Sequence, residues 1–268
     1  MGGSLARALK THDDGPVVTG WSPDGREREA VVRAGAADRA PPTLDEAVAD
    51  AELVVLAAPL EASRRLLGEA ARASPPEATL SDMVSLKEPM ARAAVAAGVA
   101  DRWVGAHPMA GAETSGFAAS RSDLFVGARV WIVAGAGAAG RVEALQALWR
   151  SLYARPVAIE AEAHDRLMAL VSHAPQVIST VLVSTFMRES VSPHEMGPAA
   201  RDMTRLASSS PSMWIDLFAH APPDLPRALR DVAARCVEVA ELLERADPDA
   251  LDSIGRLMRE TGSWRRDA

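Results

Sequence analysis

Leu53-Val54-Val55-Leu56 is a short run that is apolar at every position, and an Ala/Leu-rich amphipathic stretch, Glu61 to Ala73, follows it before a second short run, Thr79 to Asp82. A strand with one wet face alternates apolar and polar residues, so a continuously apolar one suits a sheet covered on both faces. The unit reads as strand, helix, parallel strand. Outward from it the alternation continues, with strands expected at Val17 to Trp21, Trp103 to Ala106, Val130 to Val133 and Pro156 to Ile159, and helices at Lys87 to Ala97 and Arg141 to Tyr153. Residues 1–160 therefore read as a Rossmann-like, doubly wound, mostly parallel α/β domain.

Beyond Glu160 the strand signals stop. Helical periodicity covers His164 to Arg188, Ala199 to Ser208, Ser212 to Phe218, Asp224 to Arg245 and Ala250 to Glu260, which makes residues 161–268 a second, all-α domain. In its first segment Leu167, Leu170, Val171, Ile178, Val181, Leu182 and Phe186 cover more than one face, so burial on several sides and a dimer core are expected. The end, from Trp264, is expected to fray.

A chain of 268 residues, 48% hydrophobic but only 4% aromatic, can build such cores from Ala, Val and Leu without disulfides. Twenty-nine basic against 36 acidic residues give a net charge of −7, which disfavours nucleic acid and anionic membranes and favours small-molecule partners. Cys236 alone makes no intrachain disulfide, and no secretion signal or membrane-spanning run is read, so a cytoplasmic protein is expected. The six histidines and one cysteine do not cluster at metal-ligand spacing.

The opening Met1-Gly2-Gly3-Ser4-Leu5-Ala6 reads as the second half of a glycine-rich dinucleotide loop running into its helix, with Gly2, Gly3 and Ser4 at the pyrophosphate. On this reading the first strand and the earlier glycines are missing, and the natural start is expected upstream. Ser22 lies 20 positions after Gly2, near the offset of the ribose-reading residue. With Arg26 and Arg28 nearby it favours NADP over NAD; the other reading is that Asp24 takes the acidic role and the arginines are a solvated helix face. Ala58 and Pro59, after the Leu53 strand, complete the expected cofactor-binding set.

Gly105-Ala106-His107-Pro108-Met109-Ala110-Gly111-Ala112-Glu113-Thr114-Ser115-Gly116 places a histidine at a strand end in a glycine-rich loop, where doubly wound sheets hold ligands. This string closely resembles the signature of the prephenate/arogenate dehydrogenase family. Further matches follow in family order: Ser81 to Lys87, His164-Asp165, Ser172-His173-Ala174-Pro175, Arg201-Asp202-Met203-Thr204-Arg205 and Pro211-Ser212-Met213-Trp214.

The resemblance implies an NAD(P)-binding domain joined to a helical dimerisation domain, a homodimer, and an active site between the domains. The implied reaction is oxidative decarboxylation of prephenate or arogenate, on the way to tyrosine. His107 is then the base for the ring hydroxyl, with Ser85 bonding the same hydroxyl or orienting the imidazole. Arg205 holds the ring carboxylate, Arg201 is available to the side-chain carboxylate, and Thr204 accompanies them. Trp214 walls the pocket or belongs to the core. Glu113 tunes His107 or caps a loop, and His164 and His173 read as satisfied polar groups at the domain interface. Gln176 stands where many relatives carry a second histidine and His220 where an Asn is frequent, so prephenate against arogenate stays open. A hydroxy-acid dehydrogenase of similar plan would need a lysine base in the helical domain, and Lys87 is the last lysine in the chain. A cofactor-deficient, noncatalytic dimer is the reading from another class.

Overall fold

The computed structural model describes residues 1–11, 15–111 and 116–266, with Ser212 described in its backbone only. The chain divides into two compact units: Met1–Met168 with Ser208–Ala221, and Ala169–Ala207 with Pro222–Ala268.

The first unit opens with α1 (Gly2–Leu9), α2 (Gly25–Arg33) and α3 (Leu44–Val48). Asp24 caps α2 by accepting the Arg26 amide at 2.8 Å, and Thr43 caps α3 through the Glu46 amide at 3.3 Å, so each start is set by a short polar side chain. Then come β1 (Leu53–Leu56), α4 (Leu60–Ala73), β2 (Thr79–Asp82), α5 (Glu88–Ala96) and β3 (Val104–Pro108). The unit's sheet finishes with β4 (Arg129–Ala134), α6 (Ala139–Ser151) and β5 (Arg155–Ala158), followed by α7 (Ala161–Met168).

β1 and β2 pair in parallel, Leu53 facing Thr79, and a parallel bridge from Leu80 to Trp103 carries the sheet on to β3. β4 runs antiparallel to β3, with His107 facing Trp131, and β5 is parallel to β4. Successive side chains point to opposite faces. Val54, Leu56 and Leu80 join α4 and α5 residues such as Leu67 and Met90 in one core, while Val104, Ala106, Val130 and Ile132 join Leu5, Leu145 and Trp149 in another. The sheet is thus covered twice, as its apolar runs required. The expected strand at Val17 to Trp21 is reduced to one bridge, Thr19 to Arg39, because the Asp38 carboxylate takes the Val18 amide at 2.7 Å in place of a ladder partner.

In the second unit a π-helical turn, Ala169–His173, leads into α8 (Ala174–Arg188). α9 (Pro198–Thr204) runs into a 3₁₀ turn at Arg205–Ser208, and α10 (Pro211–Phe218) belongs to the first unit. α11 (Asp224–Arg245) and α12 (Pro248–Arg266) complete the fold. Helix persists through Trp264 to Arg266, where fraying was expected.

The expected burial of the Leu167 to Phe186 face is not met within one chain: Leu170, Val171 and Val181 are 53%, 54% and 58% exposed. Ala161–Arg188 as a whole is long and apolar enough to cross a membrane by length and composition alone. Its buried positions include polar ones, His164, Asp165, His173, Gln176 and Ser179, beside Met168, Ala169 and Ala174, a polar content that suits a helix packed in protein better than one in lipid.

Between β2 and α5, Lys87 is wholly buried. Its ammonium donates to Asp82 and to the Ala106 carbonyl (2.7 Å), while Asp82 also accepts from the Trp103 indole (2.9 Å) and the Val84 amide (3.0 Å). Burial pushes the Lys87 pKa below its ordinary value, and the Asp82 carboxylate opposes that shift. Lys87→Ala strands a buried carboxylate, so the folded state should lose about 3–5 kcal/mol. The midpoint of denaturant unfolding reads that loss.

Candidate functional site

The carboxyl ends of β1, β2 and β3 fall at one edge of the sheet because the three strands are parallel neighbours. That edge gathers Ala58 and Pro59 after β1, half-buried Ser85 after β2, and His107 on the penultimate residue of β3. α1 begins beside it. A Cβ on Gly2 would lie 2.9 Å from the Ala57 Cβ, and one on Gly3 would lie 2.7 Å from Phe117, so only glycine lets this helix start so close to the strand end. Met1 supplies no side-chain cap to α1. First-turn amides without intrahelical acceptors suit an anion, and the donor set fits a dinucleotide pyrophosphate. Ser4 is buried and accepts the Arg121 amide at 3.2 Å, so it braces the loop after β3.

At the expected ribose position the Ser22 hydroxyl donates to Glu27 at 2.9 Å and accepts the Asp24 amide, and Arg28 donates to the Ser22 carbonyl at 2.6 Å. Asp24 is occupied as the α2 cap. Arg26 is exposed on the first turn of α2. Glu27 is the residue sequence reasoning passed over; its signal was a carboxylate five positions after Ser22.

His107 is half-buried, and its Nδ1 lies 2.9 Å from His164 Nε2, with the two rings edge to face at 5.1 Å between centroids. His164 and Asp165 are buried in α7. His164 Nδ1 lies 2.7 Å from Asp165 Oδ1, and the same carboxylate accepts the Lys87 amide at 2.8 Å and the Glu88 amide at 2.9 Å. Asp165 thus caps α5 from 77 and 78 residues away, a role for which α5 has no local residue. The sequence showed the His164-Asp165 pair but not its partners.

The substrate-side candidates fall in two places. Trp214, on α10 in the first unit, meets the Phe218 ring at a tilt, 5.4 Å between centroids, and packs against the β1–β2 core. On the same unit His220 meets Glu61 at 2.5 Å, and Arg64 beside Glu61 holds that carboxyl below its usual range. Arg201 and Arg205 are exposed in the second unit, Arg201 within α9 and Arg205 opening the 3₁₀ turn. Thr204 between them is buried with its hydroxyl turned back to the Ala200 carbonyl at 2.7 Å. Gln176 donates to the Leu206 carbonyl at 2.8 Å, and Ser179 accepts the Ala207 amide at 3.2 Å, so α8 fixes the turn that Arg205 opens. Glu113 lies outside the described residues. Among the described residues no cluster of His, Cys, Asp and Glu could hold a metal ion.

A doubly wound sheet with a glycine-started helix at its carboxyl edge, followed by a helical unit, defines a dinucleotide-binding α/β protein of the dehydrogenase class. Residues 5–158 match the family model of the prephenate dehydrogenase nucleotide-binding domain, and residues 160–260 that of the prephenate dehydrogenase dimerisation domain. The chain belongs to the prephenate dehydrogenase family. It is 32% identical to the prephenate dehydrogenase of Bacillus subtilis over 82% of this chain and 61% of that protein, so it spans about three fifths of that relative's length. It is 28% identical to the cyclohexadienyl dehydrogenase of Zymomonas mobilis over 94% of this chain and 88% of that one. The fold is shared with the crystal structure of Aquifex aeolicus prephenate dehydrogenase in complex with hydroxyphenyl propionate and NAD+, with a TM-score of 0.88 at 23% identity over 98% and 94% of the two chains.

Ser179→Ala leaves the half-buried Ala207 amide without its hydroxyl acceptor, and loss of such a hydrogen bond costs about 0.5–1.5 kcal/mol. A urea titration should register the loss, with Ser179→Thr closer to the parent protein.

Proposed function

We propose that this chain oxidises and decarboxylates prephenate or arogenate, giving 4-hydroxyphenylpyruvate or tyrosine, as a cytoplasmic enzyme of tyrosine formation. The observation that carries the reading is His107 at the carboxyl end of β3, held through Nδ1 so that its other nitrogen, Nε2, serves as proton acceptor. When bound, the oxidised nicotinamide supplies the hydride acceptor. Gly2 and Gly3 at the start of α1, with Ala58 and Pro59, hold the dinucleotide. His107 takes the proton of the ring hydroxyl while the adjacent ring carbon gives up its hydride. The bond to the ring carboxylate then breaks, its electron pair enters the ring, and carbon dioxide leaves an aromatic product. Ser85 bonds the reacting hydroxyl.

Arg205 binds the ring carboxylate, and Arg201 and Gln176 serve recognition of the side chain, because a planar guanidinium engages a carboxylate through two donors. Thr204 shapes the backbone that carries Arg205, and Glu113 and Trp214 take supporting places around the substrate. The exposed Leu170, Val171 and Val181 of the helical unit are proposed to pack against a second copy of the chain, as the dimerisation-domain match supports.

For the coenzyme, Ser22, Arg26 and Arg28 lean toward NADP, but the Glu27 carboxylate at the Ser22 hydroxyl opposes a 2′-phosphate. We take NAD as the coenzyme on that ground.

His107→Asn should lower kcat by about 10² to 10⁴-fold at unchanged NAD+ affinity; retained turnover in steady-state assays removes the assigned base. Arg205→Ala should lower kcat/KM by about ten- to a hundredfold through loss of a charged hydrogen-bonded pair. Glu27→Gln should raise kcat/KM with NADP+ relative to NAD+, and the same assays crossed over both coenzymes and both substrates check it. Fluorescence titration showing no nicotinamide dinucleotide bound would favour the noncatalytic dimer instead.

A further inference from the structure

We infer that His164 and Asp165 are positioning residues for His107, fixing its tautomer and the direction of its ring through a buried chain of hydrogen bonds. The inference rests on the reading of His107 as base and assigns two further residues to that site. Neither residue touches the reacting atoms.

One member of this hydrogen-bond chain has its partners fixed by the backbone. Asp165 receives the Lys87 amide on Oδ1 and the Glu88 amide on Oδ2, and both amides can only donate. They lie at the start of α5, where the helix dipole favours a negative charge, so the group is held as carboxylate. A carboxylate only accepts, so His164 donates to it from Nδ1 at 2.7 Å. In a neutral imidazole the other nitrogen then carries a lone pair, and His164 Nε2 accepts. His107 Nδ1, 2.9 Å away, is therefore the donor, and Nε2 of His107 is left as the basic nitrogen.

Burial gives this order its strength. His164 and Asp165 are 0% and 2% exposed, and a reversed chain would set a lone pair against a lone pair or leave a donor without its acceptor in a dry interior. The strand on the other side is fixed as well: the Lys87 ammonium donates to the Ala106 carbonyl, one residue before His107, and is itself bonded to Asp82. When His107 gains the substrate proton, the resulting imidazolium points its Nδ1–H toward a neutral ring backed by a carboxylate, which favours the charged form. Among the described residues, the charged groups around the chain include Asp165 on α7, Lys87 and Glu88 at the head of α5, and Asp82 on β2.

The test uses the full chain labelled with ¹⁵N-histidine, with the His107 signals assigned by their loss in His107→Asn. Long-range proton–nitrogen correlation of the parent protein, above the histidine titration range, should show a pyrrole-type Nδ1 and a pyridine-type Nε2 in His107. The opposite assignment overturns the inference, with no activity needed. His164→Leu should lower kcat by about 10- to 100-fold while KM and NAD+ affinity stay close to the parent values, and the acid limb of the kcat profile should move down by about one pH unit. His164→Gln, which can donate to Asp165 and accept from His107, should restore most of kcat. A Leu variant that folds and matches the parent in kcat and pH profile overturns the proposal. Should that variant fail to fold, the parent spectrum decides alone. Full turnover in His107→Asn would instead overturn the base assignment, leaving the measured tautomer as a fact about the fold.

Discussion

Three N–H groups converge on the Asp165 carboxylate, and the first unit is tied together there. Two of them open α5, and the third is the imidazole of His164, which in turn meets His107 on β3. One side chain thereby serves as helix cap, as anion for a histidine, and as the point where α7 is locked to the β2–α5 connection. Removing a cap from a surface helix loosens one turn. Here the same loss would also release the ring at the edge of the sheet.

A second polar cluster, beside the first, shows how the interior tolerates charge. Lys87 is fully buried, yet its ammonium has the Asp82 carboxylate and the Ala106 carbonyl, and Asp82 has the Trp103 indole and a backbone amide besides. Desolvation of two ions is costly, and the cost is offset only when each is satisfied on several sides. The arrangement joins the turn after β2 to β3, the two elements that carry Ser85 and His107. Rigidity of that edge comes from polar bonds inside an apolar sandwich, with the Leu67 and Met90 core on one face and the Trp149 core on the other. In the second unit the same device recurs on a smaller scale, where Gln176 and Ser179 hold the turn that Arg205 opens.

Much of the fold was legible because local pattern and tertiary outcome agree. Leu53 to Leu56 and Thr79 to Asp82 became parallel neighbours, and Asp224 to Arg245 became a helix over the expected residues. The His107 loop was legible from its strand-end position and its glycines. Less legible were positions where a side chain competes with the backbone. Val17 to Trp21 has strand composition, but Asp38 takes the Val18 amide and the ladder stops at one bridge. At the ribose position the arginines were conspicuous, while the Glu27 carboxylate that engages Ser22 was not.

The sequence by itself determined the layering, the order of the two halves and the place of His107 at a strand end, since periodicity and motif order are properties of the chain read locally. The tertiary structure alone decided what His164 and Asp165 bond to. Their partners lie 57 residues back at His107 and 77 and 78 residues back at Glu88 and Lys87, and no local spacing encodes a hydrogen bond of that separation. It decided likewise that Leu170, Val171 and Val181 stay open in a single chain, because helical periodicity reports that a face is apolar and is silent on whether its own chain or a second copy covers it.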